Sequence, residues 1–142
     1  MILEALHIPT ALTFTHRAFY DHAPEIEVEI AATNPAGVLR GRPIETLMVV
    51  DSGADYSMID NSYARHLGID LSQCPVWPVR GITGEGEARL ASLNIYVCGS
   101  WFEVPVLFAP ARWPQLLGRR GIFDNLFVAF IHGARMLFAS EV

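Results

Sequence analysis

The chain has 142 residues, 51% of them hydrophobic, with a formal net charge of −5 and two cysteines. That length fits a single domain, residues 1–142, able to bury a real core. The acidic balance argues against nucleic acid as a main partner, and no apolar run approaches the ~20 residues of a membrane span.

All ten basic residues are Arg. Cys74 and Cys98 form neither a CxxC pair nor a zinc spacing, and His7, His16, His22, His66 and His132 show no pattern such as HExxH. No metal or cofactor is therefore expected. Residues Met1 to His7 lack the basic segment and long apolar core of a signal peptide. The expected location is cytoplasmic, with free thiols.

In chain order, residues 1–24 alternate weakly, with Leu12 to Thr15 a candidate strand and His22-Ala23-Pro24 a break. Glu25 to Ile30 alternates acidic and β-branched residues, as a half-buried strand does. Thr33 to Gly37 and Arg40 to Pro43 are rich in turn formers and predict a loop. Ile44 to Val50 is strand-like, and its last four residues, Leu47-Met48-Val49-Val50, are all apolar. Such a run marks a buried strand. Asp51-Ser52-Gly53-Ala54 follows at once, and Gly53 lets the backbone turn where the strand ends. Asp51 thus sits at the mouth of a buried element. An unpaired charge in an apolar setting is strongly unfavourable, so this carboxylate has a partner or does chemistry.

Further on, Asp60 to Gly68 has a cap-like start, helix formers and a glycine stop, and predicts a short helix. Pro75 and Pro78 bracket a predicted loop. Val79 to Glu87 holds Gly81, Gly84 and Gly86 between strand-like flanks. Arg89 to Val97 and Trp101 to Phe108 read as paired strands around Gly99-Ser100, with Pro105 pointing to an edge or bulge. Gly121 to Leu126 predicts a short late helix. Phe127 to Ile131 and Arg135 to Ala139 predict a last hairpin turning at His132-Gly133-Ala134. Trp77, Trp101 and Trp113 are assigned to core or interface. Many short strands with little helix predict an all-β closed barrel with one or two short helices.

The stretch from Leu47 to Ile59 resembles the signature of aspartic proteases: two apolar residues, Asp, Ser or Thr, Gly, then Ala or Ser. It is closer still to the retropepsin-like branch, in which Asp-x-Ser and an apolar residue follow. Asp55, Ser57 and Met58 stand at those places. A second match is Gln115-Leu116-Leu117-Gly118-Arg119, similar to the late apolar-apolar-Gly-Arg of that branch. Gly81 to Gly86 lies where the branch carries its flap.

The resemblance implies an acid-protease barrel and an aspartic endopeptidase that works as a homodimer on a peptide or protein substrate. Asp51, Ser52 and Gly53 would form the catalytic loop. Ala54, Asp55, Gly81, Ile82, Thr83, Gly84 and Gly86 would bind the peptide, and Asp55 would pair with Arg119 in a buried or half-buried contact. The chain departs from the family at Arg120, where Asp or Asn is common. A haloacid-dehalogenase-type site is disfavoured, since it needs a second Asp where Gly53 stands. The competing expectation is a non-catalytic dimerisation or peptide-binding module that keeps the fold.

Overall fold

The computed structural model describes residues 13–33, 37, 39–81 and 84–140. Ten strands dominate it, with one six-residue helix, α1, Ser62–Leu67, and a 3₁₀ turn at Leu71–Gln73. The strands are β1 His16–Phe19, β2 Glu25–Thr33, β3 Leu39–Val50, β4 Ser57–Asp60 and β5 Val76–Gly81. They continue with β6 Gly84–Val97, β7 Ser100–Ala109, β8 Leu116–Leu117, β9 Leu126–Ile131 and β10 Arg135–Ser140.

Seven strands join in the order β2-β3-β8-β4-β7-β6-β5, and β2 also pairs with β6. The pairings β3–β8 and β4–β7 are parallel and the others mainly antiparallel. Between them lies the main core, including Ile30, Met48, Ile59, Leu93, Ile95, Val104, Phe108 and Leu117. The strand alternation predicted for β2 is visible here: Val28 and Ile30 are buried, while Glu25 and Glu27 face water. A second sheet, β1-β10-β9, joins the two ends of the described chain.

Several elements differ from expectation. The first strand is His16–Phe19 rather than Leu12 to Thr15; Leu12 lies outside the described residues, and Thr13 to Thr15 are not strand. What selects the strand is its partner, since His16 to Phe19 run in register against Phe138 to Arg135. Arg40 to Pro43 belongs to β3, not to a loop. There the register shifts from Ile30 opposite Ile44 to Ala32 opposite Arg40, leaving Gly41 to Pro43 unpaired in a bulge. Gly41 has φ +76°, a left-handed conformation that glycine adopts without strain. The extended arm brings Arg40 to the end of α1, where its Nη2 donates to Gly68 O at 2.6 Å and Leu67 O at 3.3 Å. That cationic bond satisfies carbonyls the helix leaves open.

Pro78 lies inside β5 rather than in a loop. β5 pairs only with β6, and an edge strand tolerates a residue without an N–H. Pro105 sits in β7 one residue before the pairing with β4 begins at Val106, so it too has an unpartnered side. The predicted helix at Gly121 to Leu126 is instead an irregular turn over Arg119–Phe123. Arg120 is extended there and Gly121 has φ +83°, which together break the helical repeat.

Candidate active site

Asp51 follows the last residue of β3. Val49 and Val50 run parallel to Leu116 and Leu117 of β8, and Asp51 N–H continues that ladder by donating to Leu117 O at 2.9 Å. The backbone then turns: Ala54 N–H donates to Asp51 O at 3.2 Å, and Gly53 N–H donates to Asp51 Oδ1 at 2.9 Å. The carboxylate is half-buried, held on one oxygen, while Ser52 and Gly53 are exposed. Its position comes from β3 and β8, in which Met48, Val50 and Leu117 are buried while Leu47, expected inside, is 52% exposed because the strand alternates, and its orientation comes from a backbone amide.

The segment after β8 braces this loop from behind. Arg119 N–H donates to Ala54 O at 2.8 Å, and Arg120 N–H to Asp55 O at 2.9 Å. Gly118 N–H donates to the buried Ser57 Oγ at 3.0 Å. Arg120 places its guanidinium 5.1 Å from the centre of the Tyr56 ring, a cation–π contact. The two sequence motifs therefore meet in space and hydrogen-bond to each other.

Gln115 extends the brace, and its role was not foreseen. Its Nε2 donates to Leu47 O at 2.8 Å and to Thr46 Oγ1 at 2.9 Å, while its Oε1 accepts from Asp60 N–H at 3.1 Å. Tyr63 OH lies 3.0 Å from the same Thr46 hydroxyl. One amide thus ties β3 to β4 on either side of the Asp51 loop. The only sequence signal was its place at the head of the second motif.

Arg119 Nη2 donates to Asp55 Oδ1 at 2.6 Å, so the expected pair forms, but the two side chains are 52% and 60% exposed. Solvent screens such a contact. We expect Arg119→Ala to cost less than about 1 kcal/mol of stability in chemical denaturation of the dilute protein. A loss of about 3 kcal/mol would show that the charges are desolvated in solution.

The hairpin joining β5 to β6 carries Gly81, Gly84 and Gly86; Ile82 and Thr83 lie outside the described residues. Gly84 has φ +108° at its tip. At the base of the hairpin, Val79 and Ala88 pack with Leu107, Ala109 and Trp113, and Tyr56 and Met58 beside the Asp51 loop join them. Tyr56 also meets Trp77 of β5 edge-on, with ring centroids 5.3 Å apart. A hollow of about 520 Å³ runs along the hairpin, lined by Pro78, Val79, Arg80, Glu85, Gly86 and Glu87, and does not include the Asp51 loop.

Among the described residues no three His, Cys, Asp or Glu side chains gather as a metal ion would require. Both cysteines are free, and burial pushes the Cys98 thiol up to about 11, which keeps it protonated and a poor nucleophile at neutral pH. On the outer face of β2 and β3, a hydrogen bond with Glu45 and repulsion from its charge raise Glu27 above the usual carboxylate range. That is an exposed acidic pair, with Glu27 opposite Leu47 in the β2–β3 register.

A family model described as "Aspartyl protease" matches residues 36–122, which hold the Asp51 loop, the hairpin and the Leu116-Leu117-Gly118-Arg119 brace. The chain belongs to this aspartyl protease family, which is of retropepsin-like type. No curated protein matches the sequence significantly. No helix among the described residues is long and apolar enough to cross a membrane.

Proposed function

We propose that the protein is an aspartic endopeptidase whose complete site takes two copies of this single-domain chain. The observation that carries this reading is the braced Asp51 loop, present once, with Ser52 and Gly53 presented to solvent rather than folded inward. A carboxylate held this firmly at the surface, with an open face beside it, is suited to meet a twin across a two-fold axis. Exposed Phe19 and Phe127, which the register puts on the same face of the β1-β10-β9 sheet, support a subunit contact, since exposed large apolar side chains favour association. The return pairing of β2 with β6 supports a closed barrel beneath the site. Two free thiols fit a reducing, cytoplasmic setting.

In this reading the two Asp51 carboxylates face each other at about 3 Å, where both cannot ionise, so the pair holds one proton. The ionised member takes a proton from a bound water as that water attacks the scissile carbonyl. The protonated member hydrogen-bonds the carbonyl oxygen as negative charge develops there. Ser52 hydroxyls link the two loops and keep them in register. Ala54, Asp55 and the backbone at Gly81, Gly84 and Gly86, with Ile82 and Thr83 between, bind the peptide as an extended strand.

The test is cleavage of an unbiased peptide library over a dilution series, with sedimentation run alongside. Because each chain supplies half a site, specific activity should fall as the protein is diluted through its dimer dissociation constant. Constant specific activity from a monomer would overturn the two-copy site. A dimer that binds peptides and cleaves none would instead identify a binding module that has kept the fold.

A further inference from the structure

Two glycines of the β5–β6 hairpin face one indole. A Cβ on Gly81 would stand 3.0 Å from Trp113 Cζ3; one on Gly86 would stand 3.3 Å from Trp113 Nε1 and 3.0 Å from Arg112 Nη2. The ring thus fills the space that hairpin side chains would otherwise take. Val79 and Ala88 complete the apolar contact, with Tyr56 and Met58 on its margin. Among the described residues one polar bond joins in, from Arg112 Nη2 to Glu85 O at 3.1 Å.

Trp113 is only 7% exposed, yet its buried Nε1–H has no acceptor among the described residues. Native proteins keep few such donors, because a buried N–H that has lost water and found nothing else is unfavourable. Simple core packing accounts for the ring. It does not account for a starved donor placed beside Gly86, a strand position that lacks a side chain.

From this we infer that Trp113 is a positioning residue: its indole seats the β5–β6 hairpin against the flank of the Asp51 loop, and the unpartnered N–H makes that seat one the hairpin can leave. While the hairpin is seated, apolar contact and the Arg112 bond hold it. When it lifts, the indole N–H reaches water or a carbonyl of a peptide lying beneath, so one hydrogen bond is recovered as the contact is given up. The opposing terms keep the two positions close in free energy, as a strand that must admit substrate requires. The meaning of this seat rests on the protease reading; its first test does not.

That test is hydrogen exchange by mass spectrometry on the full chain without ligand, comparing wild type with Trp113→Ala, Gly86→Ala and Arg112→Ala. Exchange in β5 and residues 84–90 should quicken by about tenfold in the first two variants and by about threefold in Arg112→Ala. Residues 93–97 in the core part of β6 should keep wild-type rates. Arg112→Ala leaves the indole intact and serves if Trp113→Ala does not fold. Unchanged hairpin exchange in folded Gly86→Ala and Arg112→Ala would overturn the seat. In peptide cleavage, Arg112→Ala should lower KM about threefold and leave kcat within about twofold, since the hairpin starts partly raised. Faster exchange with an unchanged KM would confine Trp113 to packing and overturn the positioning role. A wild type that cleaves nothing would sink the protease reading and leave the exchange result to decide the seat.

Discussion

Asp51→Asn should abolish peptide cleavage while leaving the fold intact. The substitution keeps the size of the side chain and an oxygen that can accept from Gly53 N–H, which now holds Oδ1 at 2.9 Å. It removes the carboxylate, so no group in the pair can take a proton from water. General base catalysis of this kind contributes roughly 10²–10⁴-fold, and losing both members of a symmetric pair should cost at least the upper end of that range. Stability should hold or rise, because two facing acids no longer repel. The wild type should work best at mildly acidic pH, where the pair carries one proton, and a statine-containing peptide should inhibit it as a mimic of the tetrahedral state. The measurement is library cleavage by both proteins from acidic to mildly alkaline pH, with size-exclusion profiles as the control for folding. An Asn variant that cuts at the same sites would show that Asp51 is not the catalyst.

Gly118→Ala should have the largest effect on stability of any single methyl added near the site. Its φ of −97° and ψ of −175° are extended and open to any residue, so conformation is not the obstacle. Space is. A Cβ there would stand 2.6 Å from both C and O of Tyr56 and 2.9 Å from Ala54 O. These are backbone atoms of the segment following Asp51, and they cannot rotate away as a side chain would. Relief requires the loop and the brace to part, which strains Arg119 N–H to Ala54 O and Gly118 N–H to Ser57 Oγ. Overpacking of this kind costs roughly 1–3 kcal/mol, and the lost bonds place the expected value near the upper limit. Urea denaturation measures it directly. Activity per folded molecule should fall as well, since the displaced atoms carry Asp51; a variant as stable and active as wild type would show that the brace is not rigid.

The Asp51 loop was legible in the sequence because its cause is local. An apolar run makes a strand, although only Met48 and Val50 of its four residues are buried and Leu47 is 52% exposed; Asp-Ser-Gly ends it, and Gly53 permits the turn, all within a few positions. The meeting of this loop with Leu116-Leu117-Gly118-Arg119 came from the family resemblance, and the Ala54 and Tyr56 contacts show why no side chain fits at Gly118. Alternation placed β2, and turn glycines placed the last hairpin, for the same short-range reason.

What the tertiary structure alone decided involves partners far apart in the chain. β1 starts at His16 because β10 supplies its register. Arg40 to Pro43 is strand because Arg40 reaches the carbonyls at the end of α1, a contact across 28 positions to Gly68. Gln115 ties β3 to β4 through Leu47, 68 positions away. The resemblance put Gly81 to Gly86 where a flap is expected; the structure shows that Gly81 and Gly86 clear room for Trp113. The Asp55–Arg119 pair was readable as a pair, but its exposure was not. Exposure, like a free indole N–H, depends on everything packed around a group, and no window of sequence holds that information.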